Sequence, residues 1–112
     1  MTTYNQGEII LVPFPYTDFS ATKKHPAVVM SSAPYNATHP DVILAPITSR
    51  LSETSDEVSV TDWQTAGLIK PSAIKPILAS FEAQLVIRRI GSLSDTDRGQ
   101  VRALFARVLD LP

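Results

Sequence analysis

Two side chains that can handle a proton or a charged oxygen stand at the ends of neighbouring apolar runs. His25 precedes Pro26 and the run A-V-V-M, and Thr48 follows the run V-I-L-A-P-I. An imidazole ordinarily titrates near pH 6.5 and can accept or donate a proton, while a hydroxyl can donate a hydrogen bond. If the two runs are antiparallel, the start of one lies beside the end of the other, so His25 and Thr48 face each other across one rung. We therefore predict an active site at this corner of the stretch from Thr22 to Arg50.

The elements that must position this corner are predicted to be short strands. Short apolar runs rich in β-branched residues and bounded by proline or polar residues are typical of strands and too short for helices. A single turn from Trp63 to Ala66, stopped by Gly67, is expected between two of them. The five or six candidate strands are Glu8 to Phe14, Ala27 to Met30, Val42 to Ile47, Val58 to Val60, Ser72 to Leu78 and Leu85 to Ile90.

One helix is predicted at the end of the chain, from Asp95 to Leu109. Apolar residues recur there at helical spacing, and Ser94-Asp-Thr-Asp97 resembles a capping box with Asp in place of the usual Glu or Gln. The long segments between strands, including Ser31 to Asp41, are polar and read as loops. Short strands, proline-rich corners and a terminal helix together predict a mainly β fold, a small and strongly bent barrel.

Composition limits the class of protein. The 112 residues, 44% of them apolar and 19% charged, fit one globular domain spanning residues 1–112. No apolar run approaches the roughly 20 residues that span a bilayer, and the first residues lack a signal-peptide pattern, so a cytoplasmic protein without membrane association is expected. The formal charge of −1 means that any nucleic-acid surface must be local.

No metal or cofactor is predicted. The chain has no cysteine, and His25 and His39 belong to no metal-ligand pattern. The four glycines form neither a phosphate-binding P-loop nor a dinucleotide-binding fingerprint.

Several stretches, in order and spacing, carry a resemblance that covers nearly the whole chain. They are Gly7-Glu8-Ile9 with Val12 to Phe14, Lys24-His-Pro-Ala-Val-Val29, Asn36, Val42 to Ser49, Ala66-Gly-Leu-Ile-Lys-Pro-Ser72, and Ile90-Gly-Ser-Leu93. In these stretches the chain resembles the MazF/PemK family of bacterial toxin ribonucleases. The resemblance implies an SH3-like barrel of the plasmid-maintenance toxin type with a C-terminal helix, and a homodimer. It also implies sequence-selective, metal-independent cleavage of single-stranded RNA, and inhibition by a cognate antitoxin protein that occupies the RNA groove.

The chain departs from the family at one important position. Members usually carry an arginine, held to be catalytic, directly before the proline of the second strand, whereas this chain has His25. Thr48, the other principal catalytic position of the family, is kept. An arginine can hardly act as a base, because its pKa exceeds about 12, whereas a histidine can exchange protons near neutral pH. The replacement therefore changes the chemistry available at the site.

Our hypothesis for metal-free RNA cleavage assigns three catalytic roles. His25 exchanges a proton with the substrate, Thr48 donates a hydrogen bond to a non-bridging phosphate oxygen, and Lys24 or Lys23 supplies positive charge. Each residue also has a purely structural alternative: His25 as an exposed strand boundary, Thr48 as a turn cap, and the lysines as a solvated pair.

Other residues are predicted to contact RNA. Phe14 and Tyr16 could stack on unpaired bases, although Phe14 is also a good core residue. Trp63 is assigned to the core or to a dimer contact. The remaining candidates for hydrogen bonds or charge in the RNA groove are Asn36, Ser49, Arg50 and Lys75.

Two other functions stay open on the sequence alone. The chain could be a weakened or inactive relative that binds antitoxin or RNA, with His25 marking the loss of the arginine. It could instead be a gyrase-binding toxin of the structurally related CcdB type.

Overall fold

The computed structural model describes residues 3–13, 24–51 and 56–112, in which an antiparallel, curved sheet is accompanied by two α-helices. Across the sheet the strands follow the order β4-β5-β3-β2-β1-β7, and β6 pairs with β3 on the side away from β2. None of the helices in these ranges is long and apolar enough to cross a membrane. The elements are β1 (Glu8–Pro13), β2 (Lys24–Val29), α1 (Ala33–Thr38), β3 (Asp41–Thr48), β4 (Val58–Ser59), β5 (Ala73–Ile74), β6 (Ala79–Glu82), a 3-10 turn (Ala83–Leu85), β7 (Arg88–Ser92) and α2 (Asp95–Val108).

The mainly β fold with a C-terminal helix is confirmed, and two local predictions are wrong. The segment from Ser31 to Asp41 is not all loop, because α1 forms within it with the Ser32 hydroxyl accepting from the Tyr35 N–H and a proline in the first turn. The strand predicted from Ser72 to Leu78 is shortened to β5 (Ala73–Ile74), and β6 (Ala79–Glu82) follows it as a separate strand that was not predicted.

Pro46 explains why β5 and β6 are separate. The pairing of β3 with β6 ends at Leu44 and Ala79, and the pairing with β5 begins two residues out of register, at Ile47 and Ile74. Between them Pro46 has no N–H to donate to the ladder, although its carbonyl accepts the Lys75 N–H at 3.0 Å. The segment between β5 and β6 therefore bulges beside Pro46, and its register against β3 changes by two residues.

Two apolar clusters hold the sheet. One lies beneath α2, whose Val101, Leu104 and Phe105 pack with sheet residues such as Val28 and Ile47. The predicted helical stripe thus forms part of the core, as its spacing requires. Trp63 packs against the same cluster, consistent with the core role predicted for it. The second cluster lies on the opposite sheet face and contains Ile10, Val12, Ala27, Val29, Val42 and Leu44.

The predicted barrel is not closed by hydrogen bonds. The edge strands β4 and β7 do not pair with each other in the described chain. Instead, the turn that ends at Gly67 packs against β7, so closely that a Cβ on Gly91 would collide with the carbonyl of Ala66. Gly67 itself has φ of +91°, which glycine adopts most readily. The sheet is thus strongly curved but open, and a turn fills the gap.

Candidate active site

The strands β2 and β3 run antiparallel and bring His25 and Thr48, two of the predicted catalytic residues, to one corner. Their ladder pairs Val29 with Leu44, Val28 with Ala45 and Ala27 with Pro46. The ladder ends there, and two further steps in the same register lead to His25 and Thr48. His25 and Thr48 thus lie beyond the last paired residues, and both line the same cleft.

His25 and Thr48 also emerge on the same sheet face. Side chains alternate along a strand, so His25 shares a face with Ala27 and Thr48 shares one with Leu44. Ala27 and Leu44 belong to the same apolar cluster. The side chains of His25 and Thr48 are half-buried and line a single cleft, and the third predicted catalytic residue, Lys24, lines it as an exposed residue.

The Thr48 hydroxyl is held in place by the turn that follows β3. Its oxygen accepts a hydrogen bond from the Arg50 N–H at 3.0 Å, so the turn-capping role considered for Thr48 is real. The same hydroxyl donates to the Arg50 carbonyl, with a long oxygen–oxygen distance of 3.5 Å. A bond of that length is weak, and the proton can turn towards a better acceptor in the cleft.

The cleft has a volume of about 550 Å³ and is basic. Its charged or titratable lining residues, among those described, are Lys24, His25, Arg50, Lys70 and Lys75, and no Asp or Glu contributes. Ser49 lines the cleft as well. In a chain of net charge −1, four lysine and arginine side chains around one cleft form a local positive surface. This arrangement suits a polyanion.

Lys70 is a lining residue that the sequence analysis missed. It belongs to a wall formed by residues 68–72, in which the Ser72 hydroxyl donates to the Lys70 carbonyl at 2.9 Å. Ile69, beside it, is 88% exposed although it is a large apolar residue. The sequence did offer a signal for Lys70, because this lysine lies within the stretch from Ala66 to Ser72 that carries the family resemblance.

Asn36, a predicted RNA contact, does not line the cleft. Its side chain is buried in α1, at the other end of β3. The amide donates to the Tyr4 carbonyl at 2.8 Å and the Ser31 carbonyl at 3.1 Å, and its oxygen accepts from the Ser31 hydroxyl. These bonds engage both the nitrogen and the oxygen of the Asn36 amide within the protein.

Three predicted RNA contacts, Phe14, Tyr16 and Lys23, lie outside the described residues. The other histidine, His39, follows α1 and precedes β3, so it lies at the opposite end of that strand from Thr48 and does not line the cleft. Its ring stacks on that of Tyr35, with ring centroids 3.9 Å apart. Within the described ranges no three His, Cys, Asp or Glu side chains form a group that could hold a metal ion.

Comparisons with known proteins agree with this architecture. A sequence model of the PemK-like, MazF-like toxins of type II toxin–antitoxin systems matches residues 5–109. No curated protein sequence gives a significant match.

Solved toxin structures superimpose over nearly the whole chain. The Mycobacterium tuberculosis toxin MazF-mt6 is 20% identical with a TM-score of 0.77, covering 94% of this chain and 98% of the toxin. A MazE–MazF structure from Deinococcus radiodurans is 17% identical with a TM-score of 0.80, covering 100% of both chains. An endoribonuclease of a mycobacterial species in complex with its cognate antitoxin is 13% identical with a TM-score of 0.79, covering 100% of this chain and 98% of that one. At these identities the structures establish the fold, and the sequence match over residues 5–109 establishes that the chain belongs to the PemK-like, MazF-like toxin family of type II toxin–antitoxin systems.

Proposed function

We propose that the chain is an endoribonuclease toxin that cleaves single-stranded RNA, sequence-selectively and without a metal ion, in the cleft between β2, β3 and residues 68–72. The observation that carries this proposal is the collection of His25, Thr48 and four cationic side chains around one cleft without an acidic lining residue in the described chain. Family membership supplies the toxin context. Because the proposed substrate is mRNA, we expect the activity in the cytoplasm.

The proposed reaction is an internal transfer. The 2′-hydroxyl of one nucleotide attacks the adjacent phosphorus, and the bond from phosphorus to the 5′-oxygen of the next nucleotide breaks. The attacking hydroxyl loses its proton, and the departing 5′-oxygen gains one. The products are a 2′,3′-cyclic phosphate and a free 5′-hydroxyl, and no water is consumed in this step.

Two side chains carry the central part of this chemistry. The imidazole of His25 exchanges a proton with the reacting oxygens, and the Thr48 hydroxyl donates to a non-bridging oxygen while its own oxygen is fixed by the Arg50 N–H. Fixing the hydroxyl before the substrate arrives reduces the reorganisation needed in the transition state.

Lys24 lies next to His25 and supplies charge for the phosphate. Arg50, Lys70 and Lys75 extend the positive surface along the cleft, where neighbouring phosphates of the same strand would lie.

The decisive test is incubation of the purified protein with a single-stranded RNA in the presence of EDTA. The proposal predicts defined fragments ending in 2′,3′-cyclic phosphates, detected by mass spectrometry. Intact RNA despite retained antitoxin binding would favour the inactive relative, and inhibition of DNA gyrase without RNA cleavage would favour the CcdB-like function. Either result would overturn the enzymatic proposal.

We also propose a cognate antitoxin as the protein partner. Two of the similar structures are described as an endoribonuclease with its cognate antitoxin and as MazE with MazF. A cationic cleft is complementary to an acidic polypeptide segment as well as to RNA. Antitoxin added before RNA should therefore suppress cleavage in proportion to the toxin it binds.

A homodimer is the expected assembly. Leu78, Leu85 and Ile87 are between 42% and 52% exposed on consecutive segments around β6 and β7, and large apolar residues in contact with water favour association. Sedimentation equilibrium at micromolar concentration should give twice the 12.2 kDa chain mass. A monomer under these conditions would contradict this proposal and leave the cleavage proposal intact.

A further inference from the structure

Asp97 is a fully buried carboxylate near the start of α2. Its two oxygens accept the N–H groups of Thr61 at 2.9 Å and Asp62 at 2.8 Å, which lie 36 and 35 residues earlier in the chain. Its own N–H donates to the Ser94 hydroxyl, the N-cap of the helix. The carboxylate therefore does not complete the local capping box suggested by the sequence, and instead binds a distant segment.

The segment that Asp97 binds leads directly to the cleft. Thr61 and Asp62 begin the turn in which the Ala66 N–H donates to the Asp62 carbonyl at 3.1 Å and the Leu68 N–H to the Trp63 carbonyl at 3.0 Å. After Leu68 the chain forms the cleft wall of residues 68–72.

The far end of this wall is fixed in another way. The Val60 N–H donates to the Ser72 carbonyl at 2.9 Å, next to the pairing of β4 with β5. The wall is therefore a loop held near both ends, with Lys70 between them. Lys70 is exposed, and its carbonyl is held by the Ser72 hydroxyl.

We propose that Asp97 is a positioning residue for RNA binding, which holds the turn after β4 and thereby places Lys70 where it binds a backbone phosphate in the cleft. The inference rests on the proposed function, because it assumes that RNA is the ligand. Asp97 itself does not line the cleft and touches no substrate.

The geometry requires a carboxylate at position 97. Two N–H donors point at one side chain, and only a carboxylate offers two acceptor oxygens in that shape. In Asp97→Asn the amide nitrogen would face an N–H group, so one of the two bonds would be lost and a donor left unsatisfied. The change keeps the volume of the side chain and weakens only its hydrogen bonds to the Thr61 and Asp62 N–H groups.

The first arm of the test measures the turn without RNA. Trp63 is the only tryptophan of the chain and lies in that turn, partly buried against the core. Asp97→Asn should shift its emission to the red and increase its quenching by acrylamide. Ser31→Ala is the matched control, because the buried Ser31 hydroxyl accepts the Ile43 N–H at 2.9 Å, away from this turn. Its tryptophan signal should equal that of the wild type.

The second arm measures RNA. With a single-stranded oligonucleotide, Asp97→Asn should raise KM about fivefold and change kcat much less, whereas Ser31→Ala should leave both unchanged in the folded protein. In a Lys70→Ala background, Asp97→Asn should add little, because the positioned group is already absent. Equal KM values for wild type and Asp97→Asn, or full additivity with Lys70→Ala, would overturn the inference.

A second variant covers the case in which Asp97→Asn does not fold. Asp97→Glu keeps both acceptor oxygens and moves them by one methylene, so it should give smaller changes of the same sign in both arms. Wild-type values in both arms would contradict the inference. If the wild-type protein binds no RNA, the proposed function has failed and the RNA role of Asp97 fails with it. That outcome is distinct from RNA binding that is indifferent to Asp97.

Discussion

Two polar corners flank β3, and they differ in how completely their hydrogen bonds are used. Near the start of the strand, the Ser31 hydroxyl accepts the Ile43 N–H and donates to Asn36, whose amide binds two further carbonyls. At the end of the strand, the Thr48 hydroxyl accepts the Arg50 N–H and retains a proton with only a long contact. The corners are about 16 Å apart along the strand.

The difference separates a structural polar group from a candidate functional one. Asn36 and Ser31 are buried and their bonding is closed within the protein, so they stabilise the junction of α1 with the sheet. Thr48 is half-buried in a basic cleft, and its remaining donor can reach a ligand. Since both corners consist of small polar residues beside apolar runs, only the three-dimensional contacts distinguish them.

The largest expected effect is on cleavage by Thr48→Val. This change keeps the shape of the side chain and removes the donor, so kcat/KM should fall about 10²-fold to 10³-fold, as for other lost transition-state donors. The free energy of unfolding should fall by about 1 kcal/mol or less, because one hydrogen bond at the turn is lost. Thr48→Ser is the control and should keep most of the activity. Full activity of Thr48→Val would remove Thr48 from the mechanism.

At the opposite corner, Asn36→Ala should reverse this pattern. Loss of its buried hydrogen bonds should lower the free energy of unfolding by about 2–3 kcal/mol in chemical denaturation. At low temperature, where the variant remains folded, its affinity for RNA should match that of the wild type. A selective loss of RNA affinity with unchanged stability would restore Asn36 as a binding residue.

His25→Arg tests whether the functional corner works by proton exchange. Histidine side chains change charge between about pH 5 and 8, whereas arginine does not. The variant should keep or raise cleavage and show a flatter rate profile between about pH 5.5 and 7.5. Rates measured on a short RNA with one scissile bond give this profile. An unchanged profile in an active variant would show that His25 transfers no proton.

Lys24→Ala should have the smallest effect. Losing one phosphate contact should weaken RNA binding about fivefold and reduce the slope of log affinity against log salt by about 0.7, the value for a single strand. Arg102→Ala, an exposed cation on α2 outside the cleft, is the control and should leave the slope unchanged. Equal slopes for wild type and Lys24→Ala would exclude Lys24 as a phosphate contact.

Much of the fold was predictable from local patterns. The strands around Ile9, Val28 and Leu44 and the helix from Asp95 follow from apolar runs and from helical spacing, which are local properties of the chain. The helix α1 was missed because it has only six residues and lies in a stretch interrupted by prolines, although a serine N-cap followed by a proline is a recognised helix start. Closure of the barrel was overestimated, because pairing between strand edges depends on tertiary geometry.

The candidate site was predictable only in outline. Antiparallel pairing was enough to bring His25 and Thr48 to one corner, since register follows from two adjacent strands. The contacts of Asp97 with Thr61 and Asp62 join a helix and a turn that are 36 and 35 residues apart in the chain and meet only in the folded protein. Asn36 was predicted as a hydrogen-bonding contact of RNA, but its side chain is buried away from the cleft, which the sequence alone did not indicate.

The most direct test of the account is an NMR titration with a short single-stranded RNA made uncleavable by 2′-O-methyl groups. We predict that the largest chemical-shift changes occur at Thr48, the Arg50 amide and the wall of residues 68–72, with Asn36 unchanged. Changes confined to the α1 corner or to the outer face of α2, with the cleft unaffected, would contradict the assignment of the cleft as the RNA site.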